Sequence, residues 1–93
     1  MLKSIRRTPR FKRDYKALMK KHYDEGLFVE AVRALMAEDA ELLSTKYRDH
    51  ALKGEWAGFR EIHVSGDWLV IYRVERSVLE LVLVRTGTHD DLL

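Results

Sequence analysis

The chain contains no cysteine among its 93 residues. Disulfides and thiolate metal sites are therefore excluded, and a reducing compartment such as the cytoplasm is the simplest expectation. No apolar run reaches the length of about 18 residues that a membrane helix needs. The first residues, MLKSIRRTPRFKR, lack an apolar stretch and a small-residue cleavage site, so a secretory signal is not expected. No phosphate-binding glycine loop occurs: GEWAG, at residues 54–58, lacks the lysine and the spacing. None of Ser44, Ser65 and Ser77 lies in the G-x-S-x-G setting of a nucleophile elbow.

Apolar side chains are plentiful by contrast. Hydrophobic residues are 46% of the chain and charged residues 34%, which describes a globular protein rather than a disordered one. A length of 93 residues makes one domain, spanning 1–93. The net charge is only +2, but it is unevenly spread. Residues 1–21 hold nine bases (Lys3, Arg6, Arg7, Arg10, Lys12, Arg13, Lys16, Lys20, Lys21) against one acid, Asp14. A basic arm on an otherwise acidic body suits a polyanion or an acidic protein partner, although a solvated helix face gives the same pattern.

Leu2 to Arg7 reads as a short edge strand. Thr8-Pro9 reads as an N-cap followed by proline at the first helical position. Phe11, Tyr15, Leu18, Met19 and His22 mark one face of an amphipathic helix whose other faces are basic. Gly26 interrupts, and Phe28, Ala31, Val32, Leu35 and Met36 mark a second helix with acids outside. So short a connection predicts an antiparallel helical hairpin, with opposite charges assisting the pairing. Ser44 to Ala57 loses all periodicity and reads as a long loop, often a functional feature in so small a domain. Strands follow at Gly58–Val64, Trp68–Val74 and Val78–Arg85, joined by the turns SGD and ERS. They form an antiparallel meander. The expected fold is α+β, with two helices on one face of an antiparallel sheet.

The unusual polar residues fall at strand ends. His63 lies near the end of the first meander strand, Asp67 and Trp68 at the next turn, and Arg85 at the end of the last strand. His50 lies in the long loop and His89 in the tail. In an up-down meander these positions reach one sheet end. Imidazoles exchange protons near neutrality, and a guanidinium holds developing negative charge on phosphorus. Asp67 can orient or charge a histidine. Such a set suits metal-free RNA cleavage, in which a ribose 2′-hydroxyl attacks the adjacent phosphate. A metal site at His50, His63, Asp67 and His89 is disfavoured. No pair has the short or helical ligand spacing, and Arg85 would repel a cation. An aromatic, Trp68 or Trp56, could stack on a base; core or loop packing is the commoner use of both.

The ordered pattern D-H-x-L-x-G, G-x-R-x-x-H-V, D-W-x-x-I-Y and R-T-G-T-H, covering residues 47–89, resembles the YafQ branch of the RelE/ParE toxin superfamily, bacterial toxins of type II toxin–antitoxin systems. The resemblance implies a RelE-like fold and a cofactor-free mRNA endonuclease that acts in the ribosomal A site and is silenced by a cognate antitoxin. It implies an acid/base set of His50, His63, Asp67 and His89, with Arg85 on the phosphate and Trp68 supporting the site or the RNA. Which histidine donates is open. The basic first helix, with Lys12, Arg13 and Lys16, would meet ribosomal RNA through phosphates. Two features depart from the pattern. Leu93 stands where the family tends to place an RNA-stacking C-terminal aromatic, and Asp90-Asp91 are acids beside a phosphate site. Two other readings stay open on the sequence: a non-catalytic inhibitor like the gyrase-poisoning branch, and a degenerate toxin that only binds its antitoxin.

Overall fold

A computed structural model describes residues 1–93. The elements are β1 (Ser4–Arg7), α1 (Pro9–Lys20), α2 (Glu25–Ala37), α3 (Ala40–Thr45), β2 (His50–Ala51), β3 (Arg60–Ser65), β4 (Trp68–Glu75), β5 (Glu80–Gly87) and α4 (His89–Leu92). A single 3-10 turn, Gly54–Trp56, lies between β2 and β3. The sheet order is β1-β5-β4-β3-β2. The meander β3-β4-β5 is antiparallel as the turns predict. β1 is an edge strand, but it pairs parallel to β5, so the sheet is mixed rather than antiparallel. The chain leaves β1 through three helices, α1 to α3, and re-enters the sheet as β2 at the opposite edge.

Local chemistry sets the helix ends. Thr8 caps α1, its Oγ1 accepting the Phe11 N–H at 3.0 Å, and Pro9 occupies the first helical position. The break between α1 and α2 is not at Gly26, which lies inside the first turn of α2. It is made by His22, in a left-handed conformation at φ 64°, and by Asp24, whose carboxylate caps α2 through the Gly26 N–H at 2.9 Å. Phe11 meets Phe28 at a centroid distance of 5.9 Å, and Tyr15 meets Phe28 at 4.8 Å. The Tyr15 hydroxyl donates to Glu25. Contacts thus advance along α2 as they retreat along α1, an antiparallel pair. No ion pair joins the two helices: the expected charge complementarity is replaced by aromatic packing. Of the acids on α2 and its cap, Glu38 instead holds the N-terminus at 3.2 Å and Arg76 at 2.6 Å.

The region read as a loop, Ser44–Ala57, is largely structured. Its start belongs to α3, capped by Asp39, and its middle forms β2 on the sheet edge. Six residues and two residues are too short to show a helical or strand period.

The main core lies between the helices and one sheet face. Phe11, Leu18, Ala31, Leu35, Ile62, Trp68, Val70, Leu81 and Leu83 are buried there. Phe11 is fully buried, and truncating so large a core side chain costs about 3–5 kcal/mol. A smaller cluster, Leu69, Ile71 and Leu92 with Leu52, Trp56, Phe59 and Val84 around it, covers part of the other face. Leu92 brings α4 onto that second face.

Candidate functional site

Alternation along β3 decides where the histidines point. Ile62 and Val64 face the helices, so Glu61 and His63 face the opposite side. β2 pairs with β3 so that His50 stands directly across from Glu61. Directly opposed residues share a face, and the His50 and His63 rings accordingly lie 6.2 Å apart. His50 is placed by its own short segment. Its Nδ1 lies 2.8 Å from the Arg48 carbonyl oxygen, and its Nε2 lies 3.5 Å from Glu61 Oε1.

The segment that carries His50 is pinned by three motif residues with no role apparent in the sequence. Arg60 donates from Nε and Nη2 to the Asp49 carboxylate at 3.2 Å, and the Tyr72 hydroxyl donates to the same carboxylate at 2.5 Å. Asp49 comes from D-H-x-L, Arg60 from G-x-R and Tyr72 from I-Y, so three pieces of the pattern meet in one clamp. The hydrogen bond to Asp49 holds the Arg60 pKa above its usual range. Burial, then Asp49, pushes the Tyr72 hydroxyl up.

His63 is partly buried. Burial pushes its pKa below the ordinary 6.5; Glu61 opposes the shift, and Arg48, His50 and His89 reinforce it. Its Nδ1 and the Glu61 Oε2 are both buried without a hydrogen-bond partner. The exposed His89 opens α4, and its backbone N–H donates to Asp67 Oδ1 at 3.3 Å. Asp67 therefore ties the β3–β4 turn to α4 through the backbone. α4 is closed by a capping box: Thr88 Oγ1 accepts from the Asp91 N–H, and Asp91 accepts from the Thr88 N–H at 3.1 Å. The Thr88 backbone N–H, then its hydroxyl, hold the Asp91 pKa below the usual carboxylate range. One of the two unexpected acids thus has a structural use. A side chain at Gly87 would meet Asp91 at 3.2 Å, which accounts for the glycine of R-T-G-T-H.

Arg85 takes another direction. The β4–β5 register skips Val84, a bulge, and the guanidinium reaches α1. Nε lies 3.0 Å from Asp14 Oδ2 and Nη2 lies 3.1 Å from Oδ1, while the Thr86 N–H donates to Asp14 at 3.2 Å. The structure thus brings the His50 and His63 rings together, and His89 adds to the downward shift of His63. Arg85 instead lines a separate cleft with Asp14, Lys21 and Asp91.

Trp68 needs correction as a residue for RNA contact. It is only 3% exposed, packed edge-on against Tyr23 and stacked on Phe28, with Nε1 donating to Thr86 Oγ1 at 2.9 Å. Its ring is enclosed in the helix-side core and cannot stack on a base. Lys12, Arg13 and Lys16 are exposed on α1, and Leu93 is 54% exposed at the chain end. The largest cavity, about 430 Å³, lies elsewhere, between β1 and α2, and is lined by apolar side chains and Arg33. No group of three or more histidines and carboxylates gathers at metal-ligand spacing.

Comparison with known proteins follows the same outline. A model of the family described as bacterial toxin of type II toxin–antitoxin system, YafQ, matches residues 3–93. The mRNA interferase toxin YafQ of Escherichia coli strain K12 is 32% identical over 87 residues, covering 94% of this chain and 91% of that protein. The crystal structure of a metal-bound toxin from Helicobacter pylori superposes with a TM-score of 0.88 at 38% identity, covering both chains in full. The toxin in the E. coli DinJ–YafQ toxin–antitoxin complex superposes at 0.84 with 31% identity, over 100% of this chain and 99% of that one. On sequence and fold together, this chain belongs to the YafQ family of type II toxin–antitoxin toxins.

Proposed function

We propose that this toxin is a ribosome-dependent mRNA endoribonuclease that needs no metal. The observation that carries the reading is the grouping of His50 and His63, rings 6.2 Å apart, on one sheet face. In the proposed step a base takes the proton from the ribose 2′-hydroxyl. The 2′-oxygen forms a bond to the adjacent phosphorus, the bond from phosphorus to the 5′-oxygen breaks, and an acid protonates that oxygen. The products are a 2′,3′-cyclic phosphate and a 5′-hydroxyl end.

His63 suits the base, because burial keeps its imidazole neutral at cellular pH. The exposed His89 suits the acid, with Asp67 holding the turn of chain that presents it. Arg85 suits the phosphate. Asp14 engages its Nε and Nη2, which leaves Nη1 and the end of the fork for a second anion. Lys12, Arg13 and Lys16 supply a basic face for ribosomal RNA phosphates. The partner that silences the toxin is a cognate antitoxin, by analogy with the E. coli complex. Action on ribosomes implies a cytoplasmic toxin; no helix is long and apolar enough to cross a membrane.

Inducible expression followed by primer extension on mRNA tests this reading. Codon-phased cuts that vanish with His63→Ala, His89→Ala or Arg85→Ala are the expected result. Growth arrest with intact mRNA and damaged DNA would instead assign gyrase inhibition, and absence of arrest would leave a protein that only binds its antitoxin. Arg85→Ala should lower cleavage more than ribosome affinity, because its charge matters most as charge builds on phosphorus. Equal losses would refute that role.

A further inference from the structure

Glu61 is a carboxylate where the sequence offers no reason for one. Its side chain is only 3% exposed, yet it stands in the middle of the histidine group. A buried carboxylate needs strong compensation. One oxygen, Oε1, lies 3.5 Å from His50 Nε2, and the other, Oε2, has no partner. The opposite edge of the His50 ring settles what the first contact must be. Nδ1 lies 2.8 Å from the Arg48 carbonyl oxygen, which only accepts, so Nδ1 must carry a proton. Nε2 then faces a carboxylate. If Nε2 is bare and Glu61 is ionised, two lone-pair atoms oppose each other inside the protein. A proton on the Nε2–Oε1 axis removes that opposition, whichever atom carries it.

We infer that Glu61 and His50 hold one proton between them, and that Glu61 is the positioning residue fixing the ring and charge state of His50. The inference rests on the proposed nuclease reading for its catalytic meaning, though not for its chemistry. The carboxylate role that the sequence suggests for Asp67 is taken here by Glu61, since Asp67 meets only a backbone N–H of α4. Beside the pair stands His63 on β3, and the further charged groups that act on His63 are Arg48, from the segment before β2, and His89 from α4. Arg60, next in the chain, is committed to Asp49. With its proton, the pair faces RNA as an imidazolium over a buried anion. Without it, His50 becomes an acceptor.

Two measurements test the pairing. In the wild-type toxin, the Glu61 carboxyl carbon and the His50 ring are followed by NMR across the pH range. Both should report the same titration step, and His50 should take up its proton at lower pH in Glu61→Gln than in wild type. Independent titrations, or an unmoved His50 in the variant, would overturn the inference whether or not the toxin cuts RNA. Single-turnover cleavage on programmed ribosomes then reads the catalytic meaning. Glu61→Gln should cut about tenfold or more slower with its pH profile displaced, and Glu61→Asp should recover part of the loss. A Glu61→Gln profile superimposable on wild type refutes the positioning role. If Glu61→Gln does not fold, the wild-type titration still decides the pairing, and the Glu61→Asp pH profile decides the role. Loss of cleavage with His63→Ala or His89→Ala bears on the nuclease reading alone, so the two failures remain distinguishable.

Discussion

Asp14 and Arg85 form a two-point ion pair across 71 residues of sequence, at 3.0 and 3.1 Å, with side-chain exposures of 12% and 17%. The same carboxylate also takes the Thr86 N–H and lies 3.5 Å from Arg10. This pair locks α1 to the end of β5 and so aims the guanidinium proposed to meet the phosphate.

Asp14→Asn should therefore weaken the fold and the site together. It leaves a largely buried guanidinium without its counter-charge, a loss of about 1–3 kcal/mol in urea unfolding. Cleavage should fall with little change in ribosome affinity. Stability equal to wild type would show that the pair carries no weight.

Trp68→Phe keeps the aromatic packing on Tyr23 and Phe28 but deletes the donor to Thr86. Thr86 retains its own bond to the Leu69 carbonyl at 2.7 Å. The expected loss is about 1 kcal/mol of stability, with RNA affinity unchanged. A marked fall in RNA affinity at unchanged stability would return Trp68 to the RNA surface.

His63 links stability to pH. Its folded pKa lies below the ordinary 6.5, chiefly through burial. The unfolded chain therefore binds this proton more readily than the folded one. The stabilising contribution is present above about pH 6.5 and is lost as pH falls through the depressed value. Urea unfolding at about pH 5 and about pH 7.5 should show a smaller pH difference in His63→Gln than in wild type. An identical difference would place the pH dependence in another group.

Replacing Lys12, Arg13 and Lys16 with glutamine removes three exposed charges from α1. If they contact ribosomal phosphates, the slope of log affinity against log salt should fall by about 2. A slope that does not move would place the ribosome contact on another surface.

Leu93 stands exposed, at the position where the sequence resemblance leads one to expect an aromatic ring. Leu93→Phe should tighten RNA binding by the worth of one stacked base, about 1–3 kcal/mol at most, and raise cleavage at limiting toxin. Unchanged cleavage would mean that the C-terminus does not reach the message.

Much of the fold could be read from the chain because its signals are local. The Thr8-Pro9 cap, the apolar faces of α1 and α2, and the alternation and turns of the meander each lie within a few residues. Gly66, with φ 53°, is the first residue of the two-residue β3–β4 turn, a backbone sign that glycine adopts freely. α3, β2 and α4 were not legible, because segments of two to six residues are too short to repeat a period. The parallel pairing of β1 with β5 was not legible either. It joins residues 76 apart through the register Ser4 to Glu80, and no local signal records it.

The site divides along the same line. Sequence by itself determined which chemical groups the protein owns: four histidines, the motif arginine, the basic first helix and the ordered pattern that marks the family. Only the tertiary structure decided their company. It set His50 opposite Glu61, turned Arg85 to Asp14, buried Trp68 and gave Asp67 to the backbone of α4. The reason is physical. Residue type is a property of one position, whereas pairing, burial and charge state depend on which distant strands and helices exclude water between them.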